Sequence, residues 1–218
     1  MNKGLVFLGL IFSITSCTEN KGKLSSQTEE NVIINRKALP LKDLRDKFKY
    51  SRLESFKIDT FNWETRVGFY QELDSSSFKL VWQDGKRNFV GQGYDRDYFY
   101  SWQKRNPELI EFTVLTQDES SSCDLLHYCI YDKNGKAINS FIVAASCGDG
   151  GWGNKTTGKF ITENTYERIS IDVNTDIVDS GSTNYITESD STVTHFTIAK
   201  DGKVTEKEIS KTRISEEE

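Results

Sequence analysis

Three dipeptides, Asp84-Gly85, Asn134-Gly135 and Asp201-Gly202, follow runs of β-branched and aromatic residues: Phe78 to Trp82, Leu126 to Tyr131 and His195 to Ala199. Asn or Asp before Gly accepts the positive φ angles of a tight two-residue turn. Each dipeptide therefore predicts a hairpin and each run a strand. From about residue 55 the whole chain has this texture, with short runs rich in Val, Ile, Thr, Tyr, Phe and Trp between clusters of Gly, Asp, Asn and Ser. Further strands are expected at Leu109 to Thr116, Phe160 to Thr162, Tyr166 to Val173 and Tyr185 to Thr187. The unequal turn spacing excludes a regular repeat such as a propeller. The expected fold class is mainly β: an antiparallel meander of hairpins, sandwich or open barrel-like, with one or two short helices. One helix is placed after Pro40, where Leu41, Leu44 and Phe48 recur at helical spacing. Asp95 to Arg105 fits a second helix or a strand, and Asp176 to Thr192 reads as a loop with at most a short strand.

The N-terminus has a different texture. Lys3 is followed by an almost unbroken apolar run from Leu5 to Ile14 and by small residues before Cys17. As a helix, ten or so residues reach only about half of a ~30 Å hydrocarbon core, so the run reads as an export signal rather than a membrane span. The tetrad Ile14-Thr15-Ser16-Cys17 resembles the bacterial lipobox, and with the polar Thr18-Glu19-Asn20 after it the first 20 residues resemble lipoproteins of Bacteroidota-type bacteria. That resemblance implies lipidation of Cys17, cleavage after Ser16 and anchorage to the outer membrane. It carries no catalytic residue across. Surface lipoproteins of such bacteria often bear an acidic cluster after the lipidated Cys. Here Glu19 stands alone before Lys21 and Lys23, which favours the periplasmic face.

Residues 18–37 are mostly Ser, Thr, Asn, Lys and Glu, a composition that suits a flexible tether up to about residue 38. The β-rich domain is then expected at 39–212 and an acidic tail at 213–218. Without residues 1–16 the chain keeps 27 basic and 33 acidic side chains. That balance, with no Lys/Arg block, opposes nucleic acid as a partner. The expected partners are the membrane, through Cys17, and a glycan, a peptide or an envelope protein.

No catalytic motif survives inspection. Gly153 to Lys159 has the G-x-x-x-x-G-K pattern, but Phe160 stands where a phosphate loop needs Ser or Thr. Ser76-Ser77-Phe78-Lys79 and Lys155-Thr156-Thr157-Gly158 only approximate penicillin-binding motifs, the second being interrupted by an extra Thr. His127 and His195 sit in strand patterns that suit structural hydrogen bonding better than metal ligation. No cofactor, metal or catalytic residue is assigned.

With Cys17 lipidated, Cys123, Cys129 and Cys147 remain. A turn at Asn134-Gly135 sets residues whose numbers sum to about 269 opposite one another, which brings Cys123 beside Cys147 within one residue and predicts their disulfide. Two segments are equipped to hold a ligand. Gly148 to Gly153 reads first as a flexible connection between strands, yet Asp149, Trp152 and Asn154 give it stacking and hydrogen-bonding groups. Tyr98, Tyr100 and Trp102 form an aromatic run that serves either core packing or a ligand platform. The reading that follows is a non-enzymatic, lipid-anchored ligand-binding domain. A hydrolase of envelope polymers using scattered carboxylates or His127, and an assembly protein, are the alternatives.

Overall fold

The computed structural model describes residues 40–58, 66, 68–83, 87–89, 95–118, 121–177 and 185–217. The signal, Cys17, the tether and the Asp84-Gly85 turn lie outside them. Residues 38–218 form one compact unit.

Among the described residues eleven strands make one open, mostly antiparallel sheet. They are β1 (Tyr50–Ser51), β2 (Ser55–Phe56), β3 (Gln71–Glu72), β4 (Arg96–Gln103), β5 (Leu109–Asp118), β6 (Cys123–Asp132), β7 (Ala137–Asp149), β8 (Trp152–Phe160), β9 (Thr165–Ile177), β10 (Tyr185–Ile198) and β11 (Val204–Glu217). The neighbours run β1-β4-β5-β6-β7-β8-β9-β10-β11, with β3 paired to β4 and β2 to β8. Two of the three expected hairpins are present, and Gly135 and Gly202 take φ of 83° and 84° in their turns. Leu41–Lys47 is a 3-10 helix that buries Leu41 and Leu44.

Three expectations are corrected, and one left open is resolved. Phe78 to Trp82 is not a hairpin strand, because Ser75–Val81 forms a helix, α1. Asp74 caps it by accepting a 2.7 Å hydrogen bond from the Ser77 amide, and Phe78 and Val81 turn inward. Of the two readings open for Asp95 to Arg105, the strand holds, with Arg96–Gln103 as β4. Asp176 to Thr192 is no loop at either end, since β9 runs on to Ile177 and β10 starts at Tyr185; residues 178–184 lie outside the described set. Residues 213–217 are not a tail, because they complete β11 in register with Ile186 to Asp190.

Successive side chains of a strand point to opposite faces, and β4 to β6 are covered on both. One face packs Phe99, Phe112, Val114 and Tyr131 under Leu41, Leu44, Phe78 and Val81. The other packs Tyr98, Leu115, Leu126, Tyr128 and Ile130 against Phe56, Tyr166 and Phe196, so the first half of the sheet lies on the second. Phe141 of β7 stacks on Phe196 of β10 at 4.7 Å between ring centres.

The halves separate between β7 and β8. Their ladder ends at Ala145 and Thr156, and β8 then pairs with β2 at Gly158 and Lys159. Across the split the Tyr166 hydroxyl donates to the Val143 carbonyl at 2.7 Å. Its ring crosses Gly158, where a Cβ would lie 2.5 Å from that hydroxyl. Val143 itself is a bulge: His127 faces Ile142, whereas Leu126 faces Ala144. With a second extra residue at Ile138, where Ile130 faces Asn139 but Tyr131 faces Ala137, it brings Cys123 and Cys147 into register, and a disulfide joins them.

Candidate functional site

Gly148 to Gly153 is not a long flexible connection but the tip of the β7–β8 hairpin, with Asp149 directly opposite Trp152. Gly150 and Gly151, at φ of 55° and 103°, form the two-residue turn. A side chain at Gly151 would also meet the Thr175 carbonyl at 2.9 Å, because the Thr175 amide donates to the Gly151 carbonyl there.

This tight turn fixes which side chains share a face. Directly opposed residues in antiparallel strands lie on the same side of a sheet. Trp152 opposes Asn174, which opposes Glu188; Asn154 opposes Asp172, which opposes Asp190; Thr156 opposes Ser170, which opposes Thr192. Asp149, Trp152 and Asn154 are thus brought together at one end of a polar face that extends over β8, β9 and β10. Trp152 is 41% exposed.

The polar groups hold one another in place. The Asn154 amide donates to Asp172 at 2.6 Å, the Thr156 hydroxyl donates to the Asn154 carbonyl oxygen at 3.1 Å, and the Thr156 and Ser170 hydroxyls are 2.9 Å apart. From β11, Lys211 approaches Asp190 at 3.3 Å and Arg213 pairs with Glu188. Asp149, Asp172, Glu188 and Asp190 give the face an acidic balance that Lys211 and Arg213 partly offset. Such a face has a flat aromatic surface beside ordered acceptors and amides.

The second expected segment is core. Tyr98 is 1% and Trp102 8% exposed. Trp102 stacks on Phe112 and meets Phe48 edge-on, and Tyr100 is held between Tyr50 and Tyr70 at 5.1 and 5.4 Å. As an internal strand covered on both faces, β4 has no aromatic platform to offer.

The two histidines do not meet: His127 is on β6 and His195 on β10, with three strands between them. His127 lies edge-on to Trp82 at 5.1 Å, and burial, with Arg87 a lesser cause, lowers its pKa to about 4. His195 lies 3.2 Å from Glu167. Among the described residues no three His, Cys, Asp or Glu side chains form a group that could hold a metal ion. The thiol of Cys129 is buried.

Two buried carboxyls escaped the sequence reading. Asp97 accepts a 2.5 Å hydrogen bond from Thr116 and lies 3.6 Å from Arg87; burial raises its pKa. Glu111 accepts from the Asn106 amide at 3.0 Å and from the Tyr128 hydroxyl at 3.1 Å, and burial raises it too. It lines a cavity of about 470 Å³ with Arg105, whose guanidinium lies 3.5 Å over the Phe160 ring. The two carboxyls project from opposite faces of the β4–β5 pair, since Asp97 opposes Thr116 and Glu111 opposes Gln103. They do not form an acid and base around one substrate. Asp172, Asn174, Glu188 and Asp190 were also missed, although Asp172, Asn174 and Asp176 already alternate as strand residues do.

No family model, curated protein or solved structure matches the chain.

Proposed function

We propose that this chain is a lipid-anchored protein of the bacterial cell envelope whose β domain binds a glycan on the polar face of β8–β10. The observation that carries the reading is Trp152, an exposed aromatic ring on the same face as Asn154, Asp172 and Asn174. An indole stacks on the apolar face of a sugar ring while neighbouring carboxylates and amides take its hydroxyls, and that pairing of surfaces is a common way to hold a polar ligand. The lipobox-like tetrad before Cys17 supports the anchor, and the polar residues 18–37 would let the domain stand off the membrane. No helix among the described residues is long and apolar enough to cross a membrane.

Binding is tested by calorimetric titration of the purified chain with soluble peptidoglycan fragments and a panel of neutral and acidic oligosaccharides. Saturable binding to at least one of them is expected, weakened tenfold or more by Trp152→Ala and by Asn154→Ala with the melting temperature unchanged. Absence of binding across the panel, or an affinity that ignores Trp152→Ala, overturns the glycan reading. The anchor is tested separately by metabolic labelling with a fatty-acid analogue, which Cys17→Ser should abolish.

A further inference from the structure

The sheet ends in β11, a 14-residue strand with a single neighbour among the described residues. Residues 205–213 are all exposed along it, and among the described residues no strand pairs with its outer side. An open edge of this length presents unpaired amide and carbonyl groups to any strand that fits. Charges on an edge usually keep other strands away, so what matters is how these charges are placed.

When a strand pairs antiparallel with its own copy about a two-fold axis, residue numbers of opposed positions have a constant sum. With Ile209 opposite Ser210, Glu206 meets Arg213, Glu208 meets Lys211 and Lys207 meets Thr212. The axis doubles each pair, which gives four opposite-charge contacts and no like-charge contact. A slip of one residue either way sets Lys207 against Lys211 or against Arg213, and like charges directly opposed are unfavourable.

Opposed residues must also share a face. In a regular strand Glu206 and Arg213, seven residues apart, project to opposite sides. The β10–β11 ladder shifts at this point: Thr194 opposes Glu208 but Val193 opposes Ser210, leaving Ile209 as an extra residue. Beyond that bulge the alternation inverts. Glu206, Glu208, Lys211 and Arg213 oppose Phe196, Thr194, Thr192 and Asp190 in turn, all on one face of β10. The bulge therefore puts all four charges on the side where the self-paired register needs them. Contacts with the interior strands, Arg168 to Glu206 at 3.3 Å, Lys211 to Asp190 at 3.3 Å and Arg213 to Glu188, hold three of them in place.

We propose that β11 is a homodimer interface, pairing antiparallel with β11 of a second copy with Ile209 opposite Ser210 at the two-fold axis. The contact is isologous and extends one sheet through both copies. It does not rest on the glycan reading, although Lys211 and Arg213 also pair with Asp190 and Glu188 of that face.

Sedimentation velocity of the full chain in density-matched detergent tests it. The parent should sediment as a dimer, and Lys211→Glu/Arg213→Glu and Glu206→Lys/Glu208→Lys should each sediment as monomers. An equimolar mixture of the two variants should dimerise again, because one edge is then wholly acidic and the other wholly basic. A monomeric parent, or variants that stay dimeric alone, overturns the proposal, as does a mixture that stays monomeric while both variants keep the parent's circular dichroism. Should either charge variant not fold, oxidative cross-linking decides: Lys207→Cys mixed with Thr212→Cys should form a mixed disulfide in preference to either homodimer link. Cross-linking no faster in the mixture than in the separate variants overturns the register.

Discussion

His127 is a neutral side chain kept neutral by its surroundings. Burial lowers its pKa from 6.5 to about 4, so an unfolded chain takes up a proton that the folded chain refuses. Stability must then fall as pH drops from about 6.5 to about 4, by at most about 3 kcal/mol from this group. Asp97 and Glu111 act in the opposite sense: raised by burial, they bind protons before their unfolded counterparts, and their contribution to stability grows as pH falls. Urea unfolding at pH 7 and pH 4.5 should therefore show a smaller loss in His127→Gln than in the parent, and an equal loss would assign the acid sensitivity elsewhere. Gly158 makes a steric demand instead. An alanine Cβ there would lie 2.3 Å from the Glu167 carbonyl oxygen, whereas at Gly153 the nearest atom is 3.7 Å away. Gly158→Ala should cost more than about 2 kcal/mol and Gly153→Ala well under 1, read from their melting curves. Among single residues the cysteine pair was legible, since counting back from the Asn134-Gly135 turn left a one-residue offset. Two extra residues, Ile138 and Val143, carry the ladder from Tyr131 opposite Ala137 to Cys123 opposite Cys147, and nothing in the local sequence marks either.

The hairpin turns at Gly135 and Gly202 were legible because Asn-Gly and Asp-Gly carry their own backbone preference. The run Phe78 to Trp82 misled, because a short apolar stretch fits a strand or a buried helical turn equally well. The discriminating signal was Asp74 before three serines, a helix-capping arrangement. Asp74→Ala should destabilise the protein by about 1 kcal/mol at pH 7. Hydrogen bonds from the Ser76 hydroxyl and the Ser77 amide hold the Asp74 carboxyl down to about 2, so its contribution is complete above its ordinary value of 3.8 and is lost as pH falls through 2. The difference between parent and variant in denaturant midpoint should shrink accordingly toward pH 2. β9 and β10 were under-read for another reason. In β10 residues 187–192 are Thr, Glu, Ser, Asp, Ser and Thr on both faces, so no apolar alternation announces that stretch, and a 13-pair ladder with β9 holds it extended instead. The candidate binding face was half legible for the same reason: its β7–β8 residues stood out around the glycines, and Glu188 and Asp190 of β10 were hidden in an assumed loop.

The mainly β class followed from composition and turns, but the packing of one half of the sheet on the other did not, because it depends on β7 parting from β8 and on β2 taking the vacated place. Phe141 and Phe196 bridge the two halves, so Phe141→Ala should cost about 3–5 kcal/mol. Both halves should still melt together, with tryptophan fluorescence and far-ultraviolet circular dichroism giving one midpoint; two midpoints would mean that the halves are separable. The disulfide has a consequence for how the chain reaches this state. Cys123 and Cys129 lie on one strand, six residues and ~20 Å apart when extended, yet in an unfolded chain they close a shorter loop than Cys123 and Cys147 do. Oxidation that outruns folding will therefore link the wrong pair and forbid β6, so maturation depends on thiol exchange by a disulfide isomerase or on β6 and β7 meeting first. Cys129→Ser removes the trap, and its refolding yield from the reduced state should exceed that of the parent when no isomerase is present.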